Sequence, residues 1–107
     1  MNDEATDRLL RALSDATRRH LLDRLRDEPG LTLTALTAGF AQSRQALSKH
    51  LAALEAADLL VAVWRGREKL HYLNPVPIRL VYERWVSRYA EPFVTAMTRL
   101  QRELEAG

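Results

Sequence analysis

The chain has 107 residues, of which 47% are hydrophobic and 28% are charged, as in a single ordinary globular domain. It contains no cysteine, which excludes disulfides, thiolate metal sites and thiol-based redox sensing. No apolar run approaches the roughly 20 residues that span a bilayer. The charged N-terminus does not resemble a signal peptide, so we expect a cytoplasmic protein without a membrane partner.

Charge is distributed unevenly along the chain. The formal net charge is only +2, but no acidic residue occurs between Glu28 and Glu55, whereas residues 1–28 hold seven. A polyanion would therefore meet the middle of the chain most favourably. On charge alone, a merely solvated surface explains the same pattern about as well.

Two helices are predicted before residue 30. The first, over residues 4–13, has a narrow apolar face formed by Leu9, Leu10 and Leu13. So short a helix is marginal alone, and we expect it to pack elsewhere, with a second subunit as one candidate. Asp15 is predicted to cap the second helix, over residues 16–26.

A third and a fourth helix form the central motif. Thr32 is predicted to cap a short helix over residues 33–40, and Ser43 a longer one that ends near Ala57. The tight turn between them predicts a helix-turn-helix over residues 33–57. An ordinary helical hairpin without a ligand is the alternative. The leucines expected to face the core from the longer helix are Leu47, Leu51 and Leu54.

The opposite face of this fourth helix carries long donors and short hydroxyls but no acid. In a major groove, Arg and Lys address guanine, Gln addresses adenine, and Ser reaches a base or a phosphate. We therefore expect Arg44, Gln45 and Ser48 to contact base edges. Ser43 and Lys49 are expected to contact phosphates.

A basic hairpin is predicted directly after this motif. Residues 60–73 contain two runs of β-forming residues, with the tip at Arg65-Gly66-Arg67, and Asp58 is expected to be left-handed. Alone, a basic tip is usually solvated edge protection. Beside a helix-turn-helix it is typical of a wing, and Arg65, Arg67 and Lys69 are then expected at flanking phosphates or in the minor groove.

A final helical segment, residues 76–105, has a broad apolar stripe. Pro92 is expected to kink or split it near Glu91. One small domain cannot bury so much surface, and we expect part of it, with the first helix, to lie in a homodimer interface; packing within one subunit is the alternative. The predicted interface residues are Leu9, Leu10, Leu13, Tyr82, Trp85, Tyr89, Phe93, Met97 and Leu100.

No pattern indicates catalysis or metal binding. The chain has no glycine-rich phosphate loop, nucleophile elbow or His-Glu-x-x-His motif. His20, His50 and His71 lack the spacing of a zinc ligand set, and His50 is expected to be a half-buried packing residue. We therefore expect neither an enzyme nor a cofactor or metal site.

Three segments together resemble the ArsR family, the arsenical-resistance-type winged-helix repressors. They are Ala12-Leu13-Ser14-Asp15-Ala16-Thr17-Arg18, the run from Ser43 to Leu60, and the wing from Arg65 to Leu73. The resemblance implies a mainly α winged helix-turn-helix fold of four helices, a hairpin and a last helix. It also implies a homodimeric transcriptional repressor that binds a palindromic operator in double-stranded DNA and is released by an effector.

Two alternatives stay open beside the repressor. One is an effector- or metal-responsive sensor of the same fold, with a small molecule still to be identified. The family's metal sensors carry Cys pairs in the third helix or Asp and His in the last helix. This chain has no Cys, and its predicted last helix, residues 76–105, has no His. The other alternative is a protein-interaction module that has lost DNA binding.

Overall fold

The computed structural model describes residues 1–106, which form two compact units, Met1–Pro77 and a second that begins at Ile78. The first contains four helices and a hairpin in the predicted order. Their bounds are α1 Asp3–Leu13, α2 Ala16–Asp27, α3 Leu33–Thr37, α4 Arg44–Ala56, β1 Leu60–Arg65 and β2 Glu68–Leu73. The segment beyond them comprises α5 Val76–Val81, a π-helical turn Tyr82–Val86 and α6 Ser87–Ala106.

The helices of the first unit begin at the predicted polar caps. The Asp15 carboxylate accepts from the Arg18 amide at 3.1 Å, and the Ser43 hydroxyl accepts from the Ala46 amide at 3.1 Å. The Thr32 hydroxyl serves α3 in the same way. Each cap satisfies a donor that the first helical turn would otherwise leave unpaired.

Leucine side chains form the core of this unit around α2, which packs against α1, α3, α4 and β2. Burial of one such side chain stabilises the fold by about 1.5–3 kcal/mol. Because α2 lies at the centre, it fixes the positions of both helices of the predicted DNA-binding motif. The largest fully buried side chains are Leu9, Leu21, Leu25, Leu36, Leu54 and Leu59.

Helix α3 is shorter than predicted, because it ends at Thr37 rather than at Phe40. Ala38 is extended, and Gly39 has a φ of +83°, a conformation that glycine adopts without steric cost. The turn between α3 and α4 therefore spans residues 38–43. It is longer than the two residues that the sequence pattern predicted.

The hairpin pairs Leu60 with Leu73 and Arg65 with Glu68. Arg65 therefore belongs to β1, and only Gly66 and the residue after it form the turn; Gly66 has a φ of +65°, as such tight hairpins require. Before β1, Asp58 is left-handed as predicted, with a φ of +59°.

His71 connects the hairpin to the segment that precedes α3. Its backbone amide and ring Nδ1 each lie 2.8 Å from the Leu31 carbonyl oxygen, and its carbonyl accepts from the Gly30 amide at 2.9 Å. The His71 side chain is buried. These bonds fasten β2 to a one-residue bridge at Leu31, beside the helical layer.

In the second unit, the backbone departs from α-helical geometry upstream of Pro92 rather than at it. Helix α6 continues through Pro92, although proline cannot donate to the Arg88 carbonyl. The departure from α geometry lies at the π-helical turn, where the Ser87 amide bonds to the Tyr82 carbonyl five residues back. Of the two outcomes expected at Pro92, a split near Glu91 is therefore wrong, and a kink stays a prediction.

Residues 1–106 contain no helix that has both the length and the apolar character of a membrane span.

The cap at Asp15 generates a prediction about acid stability. The Arg18 amide holds the pKa of Asp15 below its ordinary value, and His50, with Nδ1 3.9 Å from the carboxylate, acts in the same direction. A lowered folded-state pKa adds stability above the unfolded-state pKa, and this contribution is lost as pH falls through the folded value.

We expect Asp15→Asn, which can still cap α2, to weaken the acid dependence of stability. Urea unfolding of both proteins between about pH 5 and pH 2 should show a steeper loss of unfolding free energy in the unmodified chain. If the unfolding free energies of the two proteins fell in parallel with pH, this role of the carboxylate would be contradicted.

Candidate nucleic-acid interface

The two faces of α4 differ as the sequence pattern predicted. Leu47, Leu51 and Leu54 are buried. The predicted DNA-contacting side chains on this helix all lie on its exposed surface, near its N-terminal end. They are Arg44, Gln45, Ser48 and Lys49.

The cations on this face are not neutralised by neighbouring acids. Within residues 1–106, neither Arg44 nor Lys49 forms an ion pair with an acidic side chain. An incoming phosphate or base therefore does not have to displace an internal partner. The N-terminus of α4 adds amide donors and the positive end of its dipole.

Ser43 lies directly before these residues, and its hydroxyl can accept and donate hydrogen bonds at the same time. Its side-chain oxygen accepts from the Ala46 amide. A serine hydroxyl has one hydrogen to donate besides its acceptor lone pairs. The cap therefore leaves a donor for a phosphate at the start of α4.

The structure separates the three basic residues of the hairpin. Arg65 and Arg67 are exposed on either side of Gly66. The Lys69 ammonium instead lies 3.9 Å from the Glu55 carboxylate of α4. The tip thus presents two arginines, and Lys69 is held towards the C-terminal half of α4.

Arg24 of α2 holds the turn between α3 and α4, a function that the sequence pattern did not indicate. Its Nη1 donates to the Leu36 carbonyl at 3.0 Å and to the Ala38 carbonyl. Its guanidinium carbon lies 4.9 Å from the centre of the Phe40 ring, in cation–π range. The turn is therefore fixed from the core side by one cation.

A second side-chain contact fixes the same turn. The Gln42 amide donates to the Thr17 hydroxyl at 2.8 Å. Together with Arg24, this contact attaches both ends of the turn to α2. The partners are separated by 12 to 25 residues, so no local sequence signal could have revealed them.

The predicted dimer residues differ in exposure. Leu9 is only 1% exposed and belongs to the core, which corrects the expectation that it faces a second chain; Leu10 is 49% exposed and Leu13 is half-buried. In the second unit, the predicted aromatic and aliphatic side chains are all exposed. They are Tyr82, Trp85, Tyr89, Phe93, Met97 and Leu100.

The histidines are dispersed. His50 is half-buried beside Asp15, as expected, His71 is buried, and His20 is exposed. In the part of the chain that the structure describes, no group of three or more His, Cys, Asp or Glu side chains is placed to hold a metal ion.

Comparison with known proteins agrees with this geometry. A helix-turn-helix domain model matches residues 13–63. An uncharacterized HTH-type transcriptional regulator, YuzN of Bacillus subtilis (strain 168), is 34% identical over 86 residues, covering 75% of this chain and 94% of the relative.

Two solved structures are similar along most of the chain. One is an ArsR family transcriptional regulator, with 27% identity, a TM-score of 0.74 and coverage of 87% of this chain and 94% of that one. The other is an ArsR-like transcriptional regulator from Rhodococcus sp. RHA1, with 26% identity, a TM-score of 0.73 and coverage of 97% and 94%. This chain belongs to the ArsR family.

As an ArsR-family member, the chain is a DNA-binding transcriptional regulator with a winged helix-turn-helix fold. This confirms the family, the fold class and the general function that the sequence predicted. The family is one of regulators rather than of enzymes.

The position of Arg24 generates a stability prediction. We expect Arg24→Met to lower the free energy of unfolding by about 1–3 kcal/mol, because it leaves carbonyls of the turn without their donor. Urea denaturation measures this loss. Arg26→Met is the matched control, because Arg26 is exposed and, among the described residues, pairs only with acidic side chains on its own helix. It should lower the free energy of unfolding much less. Equal losses in the two variants would contradict the function given to Arg24.

Proposed function

We propose that this ArsR-family regulator is a homodimeric repressor that binds a palindromic operator. The observation that carries the proposal is the exposed row of donors at the N-terminal end of α4, whose cations pair with no acidic side chain among residues 1–106. Two such helices in a dimer would enter successive major grooves, about 34 Å apart. Occupation of a promoter would then block transcription.

Each side chain of the interface has a proposed role. Arg44, Gln45 and Ser48 read base edges, whereas Ser43 and Lys49 bind phosphates. The helix-turn-helix of residues 33–57 supplies these contacts, and the wing of residues 60–73 supplies the flanking ones. In the wing, Arg65 and Arg67 bind phosphates or enter the minor groove, with Lys69 behind them.

The proposed dimer uses exposed apolar surface. Along α6, a groove of about 540 Å³ is lined mainly by apolar side chains such as Phe93, Met97 and Leu104, which are 62–72% exposed. A contiguous apolar surface of this kind marks an interaction site, and a second copy presents the same surface. Leu10 and Leu13 are proposed to add a smaller contact from α1. The proposed dimerisation segments are thus residues 4–13 and 76–105.

We propose that the chain acts by binding DNA and does not catalyse a reaction. Because operator binding requires access to DNA, we propose that the protein acts in the cytoplasm.

DNA binding by the two basic elements can be distinguished. Arg44→Ala should reduce the discrimination between the duplex upstream of the coding sequence and a scrambled duplex by about 1–3 kcal/mol, or roughly 5- to 150-fold. Arg67→Ala should weaken binding to both duplexes equally. It should also reduce the slope of the logarithm of the binding constant against the logarithm of salt concentration by about one. Fluorescence anisotropy at several salt concentrations measures both effects.

The control for these variants is Arg102→Ala, which removes one exposed positive charge from α6. It should leave discrimination and the salt slope unchanged. An unchanged salt slope for Arg67→Ala would refute the wing assignment. Equal discrimination before and after Arg44→Ala would refute base readout by α4.

The dimer can be tested on α6. Met97→Asp introduces a charge into the proposed interface and should convert the dimer to a monomer in sedimentation experiments, because an unpaired buried charge is costly. Thr95→Asp is the control, since position 95 lies about 200° around the helix from position 97. A monomeric unmodified protein, or dissociation by both variants alike, would contradict the proposed interface.

A further inference from the structure

A cleft between three helices of the first unit is lined by none of the side chains that are proposed to contact DNA or a second subunit. Its volume is about 390 Å³, within the range of small-molecule sites. We call it the arginine cleft. Its walls include Glu4, Arg8 and Arg11 of α1, Arg18 of α2, and Ala53 and Ala56 of α4.

The charge of the arginine cleft is strongly positive for its size. Three arginines and one glutamate give a formal charge of +2, which equals that of the whole 107-residue chain. The negative ends of α1 and α4 each offset about half a charge, and the positive end of α2, beside Arg18, adds about half. Asp15, which does not line the cleft, also attracts Arg18. The balance therefore favours an anion.

Arg18 is held in place at the cleft by the end of α1. Its Nε donates to the Ala12 carbonyl at 2.9 Å, and its Nη2 donates to the Arg11 carbonyl at 3.2 Å. Within residues 1–106, its Nη1 makes no hydrogen bond. Arg18 therefore has a fixed orientation and keeps a donor available, as a preorganised anion site requires.

The two arginines of α1 also keep donors available. Arg11 uses its Nε on the Asp7 carbonyl at 3.3 Å, and among the described residues its two terminal nitrogens form no hydrogen bond. Arg8 contacts Glu4 at 3.4 Å in an exposed pair. Such pairs contribute little, so an anion can replace Glu4 as the partner of Arg8.

The small side chains of α4 leave this space open. Ala53 and Ala56 form one wall, and a larger residue at either position would enter the cleft. Ala56 follows Arg44 by twelve residues, or about 18 Å along the helix axis. The cleft is thus remote from the end of α4 that is proposed to meet DNA.

We infer that the arginine cleft binds a small organic anion with two or more carboxylate or phosphate groups. Guanidinium groups match both groups through paired hydrogen bonds, and three of them favour a multiply charged ligand of metabolite size. The inference concerns free protein and goes beyond the proposed DNA-binding function, so either can fail without the other.

The test is a titration of the ¹⁵N-labelled full chain with citrate, which has three carboxylates, and separately with pyrophosphate, which has two phosphate groups; sodium chloride is adjusted to keep the ionic strength constant. We expect saturable changes in the ¹⁵N chemical shifts of Arg11 and Arg18 with at least one of the two anions. The comparison of citrate with pyrophosphate shows whether the cleft prefers carboxylate or phosphate groups. Arg11→Gln should weaken binding at least tenfold, whereas Arg102→Gln should not.

A second variant tests the cleft independently, in case Arg11→Gln alters the fold. Ala56→Glu places a carboxylate at the cleft from an exposed position, and should abolish the shifts while the remaining spectrum stays folded. Three results would overturn the inference: no saturation with either anion, equal weakening of binding by Arg11→Gln and Arg102→Gln, or binding to the Ala56→Glu variant that is as strong as to the unmodified chain.

Discussion

The contact of Arg24 with the turn before α4 is the constraint on which the surface proposed to face DNA depends. Arg24 belongs to α2, the helix around which the core is built, and its guanidinium reaches the carbonyls of Leu36 and Ala38 and the Phe40 ring. The orientation of α4 therefore derives from the core rather than from α3 alone, which has only five residues. A helix so short cannot position its neighbour unaided.

Local signals predicted much of the fold. The caps at Asp15, Thr32 and Ser43 and the left-handed Asp58 all depend on side-chain chemistry within a few residues, and the structure confirms them. The leucine pattern likewise identified the buried face of α4. Family resemblance then supplied the order of elements, which periodicity alone does not determine.

Other features depend on distant contacts or on competing backbone choices, and these were missed or misplaced. Gly39 ends α3 three residues earlier than the apolar spacing indicated. Pro92 predicted an interruption of the last helix, because proline lacks a backbone N–H. The π-helical turn lies upstream, and no residue type in the sequence indicates it. Leu9 and Leu10 are adjacent and chemically identical, and only the packing of α1 determines which one is buried.

The hydrogen bonds between His71 and the backbone before α3 have a consequence for how spacing on DNA is recognised. Since β2 is fastened at Leu31, the wing and the helical motif form one stiff body, and neither can swing to follow a distorted groove. In the proposed dimer, tolerance of operators with longer or shorter centres must then come from deformation of the duplex or from flexing where the two copies join.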